Sequence, residues 1–235
     1  YAPDAVRVAE VLRIPQIMDL SVYSDLRMQK AYELLVEDIK KLFLKHTHPV
    51  VLNNASSTFQ YMRQYKTFAS VVETCLGELQ EEVTKIFLDE CGKYDLLEMD
   101  LSSDQVHSLS VALSRLEQLI TVVNVVEENN ENQSEVYKFI IKLVERGSLG
   151  NSDEEKMVTS AINFLWYYLL WKVENISSKE HAKDVTSDFL DEFIVKRDQI
   201  VKILLEVGVD MSSKSLSDVK LAAFRALGNI YWLFS

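Results

Sequence analysis

Apolar residues recur at helical spacing along nearly the whole chain, and short polar or Gly/Pro-containing breaks divide them into segments. Asp4–Leu12 predicts a first helix that stops ahead of Pro15, because the residue before a proline is pushed out of the helical region. A long helix is expected from Asp25 to His46, with Ala31, Leu35, Ile39 and Leu42 forming its apolar stripe and His48-Pro49 ending it. Val50–Tyr65 resumes as helix with Leu52, Ala55, Phe59 and Met62 inward. Phe68–Cys91 follows, with Val72, Leu76, Leu79, Val83, Ile86 and Leu88 on its apolar side and Gly92 at its end, where helices often need glycine.

The second half repeats the pattern. Residues 93–101 read as a connector. Ser102 and Gln105 then fit a capping box ahead of the stripe Val106, Leu109, Leu113, Leu116, Ile120 and Val123. The polar run at 127–132 reads as a loop. Glu135–Glu145 is a short helix ended by Gly147. Ser152 and Glu155 resemble another capping box, and Asp153, Glu154 and Glu155 suit the positive end of a helix running to about Glu174. Ser177 and Glu180 repeat the start signal for a helix ending near Gly208, with Phe189, Phe193, Ile200, Leu204 and Val207 inward. Ser217 caps a last helix with Val219, Ala223, Ala226, Ile230 and Leu233 inward.

These helices pair as 25–46 with 49–65, 68–91 with 103–126, 133–146 with 152–174, and 180–207 with 217–235. Pair starts lie roughly 43, 65 and 47 residues apart. HEAT-type repeats have a period of about 40–47 residues, so two intervals fit and the third carries the insertion at 93–101. The expected fold is all-α: residues 1–235 as a single HEAT-repeat-like α-solenoid segment of antiparallel helix pairs, with 93–101 and 127–132 as loops. A closed helical bundle is the competing architecture. Composition supports helices with short connections, since 235 residues hold only 6 Gly and 3 Pro. Tyr1 is not an initiator residue, so the chain reads as a fragment.

Charge narrows the partners. A net charge of −11 makes a poor general phosphate binder. Lys40, Lys41 and Lys45, with His46 and His48, form a small basic cluster at a helix end. There cations complement the helix dipole; a minor DNA contact is the functional alternative. The 4 histidines show no metal-ligand spacing, and no metal or other cofactor is expected. Cys75 and Cys91 stand several helical turns apart, too far for a disulfide on one helix, and free thiols suit a reducing compartment. Motifs of nucleophilic or phosphate-binding enzymes are absent. The longest apolar run, Phe164–Trp171, is far shorter than the ~20 residues of a membrane helix. A helix apolar all round is sandwiched between neighbours or covered by a partner, and core packing is the favoured reading of this run.

Four stretches carry a specific likeness. Val11 to Ser24, reading V-L-R-I-P-Q-I-M-D-L-S-V-Y-S, resembles the L-Q-I-P-Q-x-x-D-L-x-I-Y-S stretch of the SA/STAG subunits of cohesin, and Arg27-Met28-Gln29-Lys30 continues it. Ala112–Leu116 is similar to the family's V-L-S-T-L-K-R helix, Leu170–Val173 to its I-L-W-Q-L, and Lys220–Ser235 to its K-E-Q-A-F-x-x-L-C-D-x-L-M-I-F-S. The matches are co-linear, and their divergence resembles that of a fungal member.

The resemblance implies a middle-to-C-terminal part of a long HEAT solenoid with no catalytic activity. It further implies binding to cohesin's kleisin subunit, contact with loading, protecting and release factors, and a place on chromosomes in the nucleus. DNA is expected to be met through other parts of the parent subunit, and no membrane is involved. It gives the aromatic run a second reading, in which Trp166, Tyr167, Tyr168, Trp171 and Lys172 touch the kleisin. The alternatives are another HEAT-repeat adaptor, such as a transport receptor or other chromosome-complex subunit, and a helical-bundle enzyme with a closed polar cavity.

Overall fold

Helix ends fall where the backbone needs help, and the computed structural model shows what supplies it. It describes residues 3–17, 20, 29–94, 101–123, 131–147, 152–182, 187–209 and 217–234. The helices are α1 (Pro3–Leu12), α2 (Ile14–Ile17), α3 (Gln29–Lys45), α4 (Pro49–Arg63), α5 (Lys66–Cys91), α6 (Ser103–Ile120), α7 (Glu131–Arg146), α8 (Ser152–Ala182), α9 (Ser187–Val209) and α10 (Ser217–Phe234). No strand occurs among the described residues.

Several ends follow the local chemistry. Pro49 opens α4, where its missing N–H costs nothing, and the His48 side chain caps that end by accepting from the Val50 N–H at 3.3 Å. Ser102 and Gln105 form the capping box reciprocally: Ser102 N–H donates to Gln105 Oε1 at 2.7 Å, and Gln105 N–H to Ser102 Oγ at 3.4 Å. Gly147 takes φ 69° immediately after α7, a left-handed turn that disfavours any side chain. The Gly92 N–H closes α5 onto the Leu88 carbonyl.

Other ends differ from the sequence reading. The start signal at Ser177 and Glu180 lies inside α8, which runs on to Ala182; α9 begins at Ser187. No Gly or Pro falls between Gly150 and Gly208, so nothing obliges the helix to stop at Glu174. Of the expected 127–132 loop, residues 127–130 lie outside the described residues, whereas Glu131 and Asn132 already belong to α7. Of 93–101, residues 95–100 lie outside them, as do 18, 19 and 21–28 of the first family-like stretch. At its other end α9 stops at Val209, next to Gly208, as expected.

The chain forms two compact units: residues 1–86 with 114–125, and 87–113 with 126–235. In the first, α3 packs on α4 across the short turn 46–48. Tyr32 meets Phe68 at 4.3 Å between ring centroids, and Lys40 meets Glu78 at 2.6 Å, so α3 and α5 run parallel. On the other side, α4 lies between α1 and the end of α6. Asn54 and Thr58 donate to the Ala9 and Leu12 carbonyls, while Ser56 and Arg63 donate to the Gln118 and Val122 carbonyls. Residue numbers rise together in both sets, so α1, α4 and α6 are parallel neighbours. These acceptors lie in or just beyond helix C-terminal turns, where carbonyls lack the usual intrahelical partner.

The second unit is built alike. Arg146 meets Glu154 and Tyr137 meets Tyr168, so α7 and α8 are antiparallel. Phe193 and Arg197 meet Phe234 while Gly208 approaches Phe224, so α9 and α10 are antiparallel too. Glu155 faces Asp218, and a groove joins Asn163 to Arg225, so α8 and α10 are parallel. Consequently α7 and α9, which also pack together, are parallel.

The expected inward residues of α4 are all buried, as are Val106, Leu109, Leu113, Leu116 and Ile120 of α6 and Val219, Ala223, Ala226 and Ile230 of α10. On α3 the buried stripe is Tyr32, Val36, Ile39 and Phe43. Of the expected set only Ile39 is buried, and Leu35 is 38% exposed. The two stripes differ by one residue, about 100° of rotation, and the one with two aromatic rings buries more surface. Ile86, Leu88, Val123, Val207 and Leu233 are half-buried, and the core positions beside them go to Phe87, Cys91 and Val122.

Candidate protein-binding surface

The aromatic run lies in the middle of α8 and divides by face. Phe164, Leu165, Tyr168, Leu169 and Lys172 point into the core, with Tyr168 1% and Lys172 5% exposed. Trp166, Tyr167, Leu170 and Trp171 are half-buried. The Tyr168 ring stacks on Tyr137 at 5.0 Å, and the Lys172 ammonium lies 5.6 Å from the Tyr168 centroid. A buried ammonium needs such company. This corrects the expectation that Tyr168 and Lys172 reach a partner directly: both are core residues, and only Trp166, Tyr167 and Trp171 of that set offer surface.

The lysine cluster separates as well. Lys40 is half-buried and held by Glu78 at 2.6 Å, a hydrogen bond that lifts its pKa above the ordinary lysine value. Lys41 is exposed but lies 3.8 Å from Glu37 and 3.6 Å from Asp38. Lys45 alone of the three stands in the last turn of α3, where it complements the dipole. His46 lends its carbonyl to Arg115, and His48 caps α4 through an unprotonated Nδ1. Lys40 and Lys41 are thus engaged by acids, and Lys45 stands at the helix end.

Cys75 and Cys91 are buried and unpaired on α5. Burial pushes each thiol up to about 12, which leaves almost no thiolate at neutral pH. Among the described residues, no group of three or more His, Cys, Asp or Glu side chains is placed to hold a metal ion. Nor is any helix there long and apolar enough to cross a membrane.

Two polar features escaped the sequence reading. Arg146 and Glu154, with side chains 8% and 6% exposed, form a buried ion pair at 3.5 Å across the turn from α7 to α8. The signal was present: a basic residue ends one helix and an acid opens the next. Glu155, read as a capping partner, instead faces Asp218 in a groove of about 390 Å³, and its Oε1 is buried without a hydrogen-bond partner. Burial, then the Asp218 charge, raise its pKa above the usual carboxylate value. No sequence rule places residues 155 and 218 together; only the parallel stacking of α8 on α10 does.

The comparisons with known proteins give the family. The profile of the family described as "Cohesin subunit SCC3/SA, HEAT-repeats domain" matches residues 1–171. Cohesin subunit SA-3 of Rattus norvegicus is 27% identical over 190 residues, covering 80% of this chain and 14% of the relative. Cohesin subunit SA-1 of Xenopus laevis is 25% identical over 236 residues, covering 100% of this chain and 18% of the relative. Cohesin subunit psc3 of Schizosaccharomyces pombe is 22% identical over 176 residues, covering 74% and 18%. The chain thus spans less than a fifth of the length of these relatives. With parallel helix layers and a match over most of its residues, this all-α chain belongs to the HEAT-repeat SCC3/SA family of cohesin subunits.

Proposed function

We propose that this chain is a non-catalytic scaffolding stretch of a cohesin SA subunit, one solenoid segment over residues 1–235, that binds the complex's kleisin subunit. Through that contact it supports cohesin's association with chromosomes and sister chromatid cohesion in the nucleus. The observation that carries the reading is the family match over 1–171 on a chain whose helices stack in parallel layers. Such stacking buries each helix pair against its neighbours and leaves two flanks free. An extended kleisin segment loses conformational freedom on binding and needs a long contact surface to offset it. The same match sets aside a transport receptor or another chromosome-complex adaptor.

Within this reading, the outer arc of α8 contacts the kleisin through Trp166, Tyr167 and Trp171, while Tyr168 and Lys172 hold that arc in place from beneath. Tyr and Trp are favoured anchors at protein interfaces. Loading, protecting and release factors dock elsewhere on the same subunit. Other parts of the parent subunit meet DNA, because Lys40 and Lys41 are engaged by acids and Lys45 is a single charge.

Titrating a labelled fragment of the kleisin's central region onto the wild-type chain and a Trp166→Ala/Trp171→Ala variant tests the proposal. The dissociation constant is expected to rise at least about tenfold, or ~1.4 kcal/mol, with the chain still folded by circular dichroism. An unchanged constant removes α8 from the interface; no binding by the wild type removes kleisin binding from this stretch.

A further inference from the structure

The groove between the first halves of α8 and α10 carries charge of opposite sign at its two ends. Glu155 and Asp218 stand at one end and Asn163 and Arg225 at the other, with Thr159 and Leu221 between them. At ~1.5 Å of rise per residue, the ends lie about 11 Å apart.

The acidic end has an unmet need. Glu155 Oε1 is buried and accepts no hydrogen bond, which is costly for a carboxylate oxygen. Asp218, exposed on the facing helix, adds a like charge. The helix dipole favours an acid this close to the start of α8, but it does not supply that oxygen with a donor. The neighbouring cations turn elsewhere: Lys156 meets Asp153 at 3.1 Å, and Arg146 meets Glu154 at 3.5 Å. Arg225 is exposed at the far end.

We infer that this groove docks an extended segment of a protein partner that carries a basic residue and, four positions along, an acidic one. The basic side chain donates to Glu155 Oε1 and lies against Asp218, and the acidic side chain meets Arg225. Charge-assisted hydrogen bonds of this kind are the stronger ones. An extended chain advances ~3.3 Å per residue and turns alternate side chains to one side. Positions four apart therefore share a face and span about 13 Å, close to the length of the groove. The residue midway faces Leu221, which is 45% exposed and offers an apolar contact. A helix of ~10 Å diameter over that length takes about twice the groove's volume of about 390 Å³. The inference does not depend on the outer arc of α8 reaching the kleisin.

The test titrates the synthetic peptide acetyl-Ser-Arg-Ser-Val-Ser-Glu-Ser-amide onto the chain, followed by amide chemical shifts. Saturable shifts centred on residues 152–163 and 218–225 are expected. The dissociation constant should rise at least tenfold with Glu155→Gln/Asp218→Asn, and again with Arg225→Gln. Heat denaturation of the free variants accompanies the titration. Glu155→Gln removes a charge that burdens the free chain, so binding should fall in a variant that melts no earlier than the wild type. Absence of saturable shifts overturns the inference. So does equal affinity for the peptide with Gln in place of both Arg and Glu. Arginine amide binding as tightly as the whole peptide overturns it too, since the site then takes a cation and not a segment.

Discussion

Tyr168→Ala is expected to destabilise the unit containing α7–α10 by ~3–5 kcal/mol, the usual cost of emptying an aromatic-sized space in a core. The site has little room to relax, since Tyr168 is 1% exposed and is flanked by fully buried Phe164, Leu165 and Leu169. The stacking on Tyr137, with centroids 5.0 Å apart at 33°, adds about 0.5–1.5 kcal/mol beyond the area term. The Lys172 ammonium, 5.6 Å from the ring centroid, loses an attraction of about 0.5–2 kcal/mol. These contributions overlap, so the range stands for their combined effect. Against a total stability of about 5–15 kcal/mol, the variant keeps its fold at low temperature but melts roughly 6–20 °C earlier.

Urea titration followed by far-ultraviolet circular dichroism gives the free energy, and Tyr168→Phe is the control that retains the ring. A loss below about 1 kcal/mol for Tyr168→Ala, or equal losses for the two variants, would refute the placement of this ring in the core. The same logic decides how α8 should be probed for partners. On the proposed reading, weakened kleisin binding by Tyr168→Ala would report disturbed packing beneath α8, whereas Trp166→Ala alters its outer arc.

Two further outcomes follow from buried charge. Arg146→Met and Glu154→Met are each expected to destabilise the fold, by at most ~3–5 kcal/mol, because each removes an ion-pair partner from a buried charge; the double variant should lose less than the sum of the two. Additive losses in a double-mutant cycle by urea denaturation would contradict this. Glu155→Gln is expected to raise the melting temperature at neutral pH, since the folded chain holds Glu155 above its ordinary pKa. The penalty exists while the carboxylate is ionised and vanishes on protonation, so the variant's advantage should shrink as pH falls through that raised value. A gain that stays constant from neutral to acidic pH rules the explanation out.

Sequence periodicity was most informative where a helix has one apolar face and a chemical start. Ser102 and Gln105 satisfy each other's backbone donors, and α10 buries Val219, Ala223, Ala226 and Ile230, as the pattern requires. It was ambiguous where two stripes coexist. On α3, Ile39 belongs to both candidate faces, and only contact with Phe68 selects the stripe containing Tyr32. The run Phe164–Trp171 posed the same problem for the candidate surface. A segment apolar all round does not say which arc faces the core, and the lysine that follows it argues for the outside. Lys172 is nevertheless buried, because Tyr168 one turn earlier offers its ring. Ser177 and Glu180 misled for another reason: a start signal acts only where the preceding helix has cause to end.

How the helices are joined explains why such a fold suits a scaffold. Apolar ridges alone let parallel helices slide by a turn at little cost, since a similar ridge recurs every three or four residues. In the first unit, the register is fixed by polar side chains of α4. Asn54 and Thr58 reach the carbonyls ending α1, and Ser56 and Arg63 reach those at and just beyond the end of α6. These bonds meet carbonyls at helix ends, and the Gln118 carbonyl accepts from Thr121 Oγ1 as well, so sliding would break all four contacts. This fastening acts between neighbours and needs no closed barrel or central core. Within this unit the fastening keeps the flanks of α1, α4 and α6 in a defined order, which on the proposed reading would let an extended partner bind in one register.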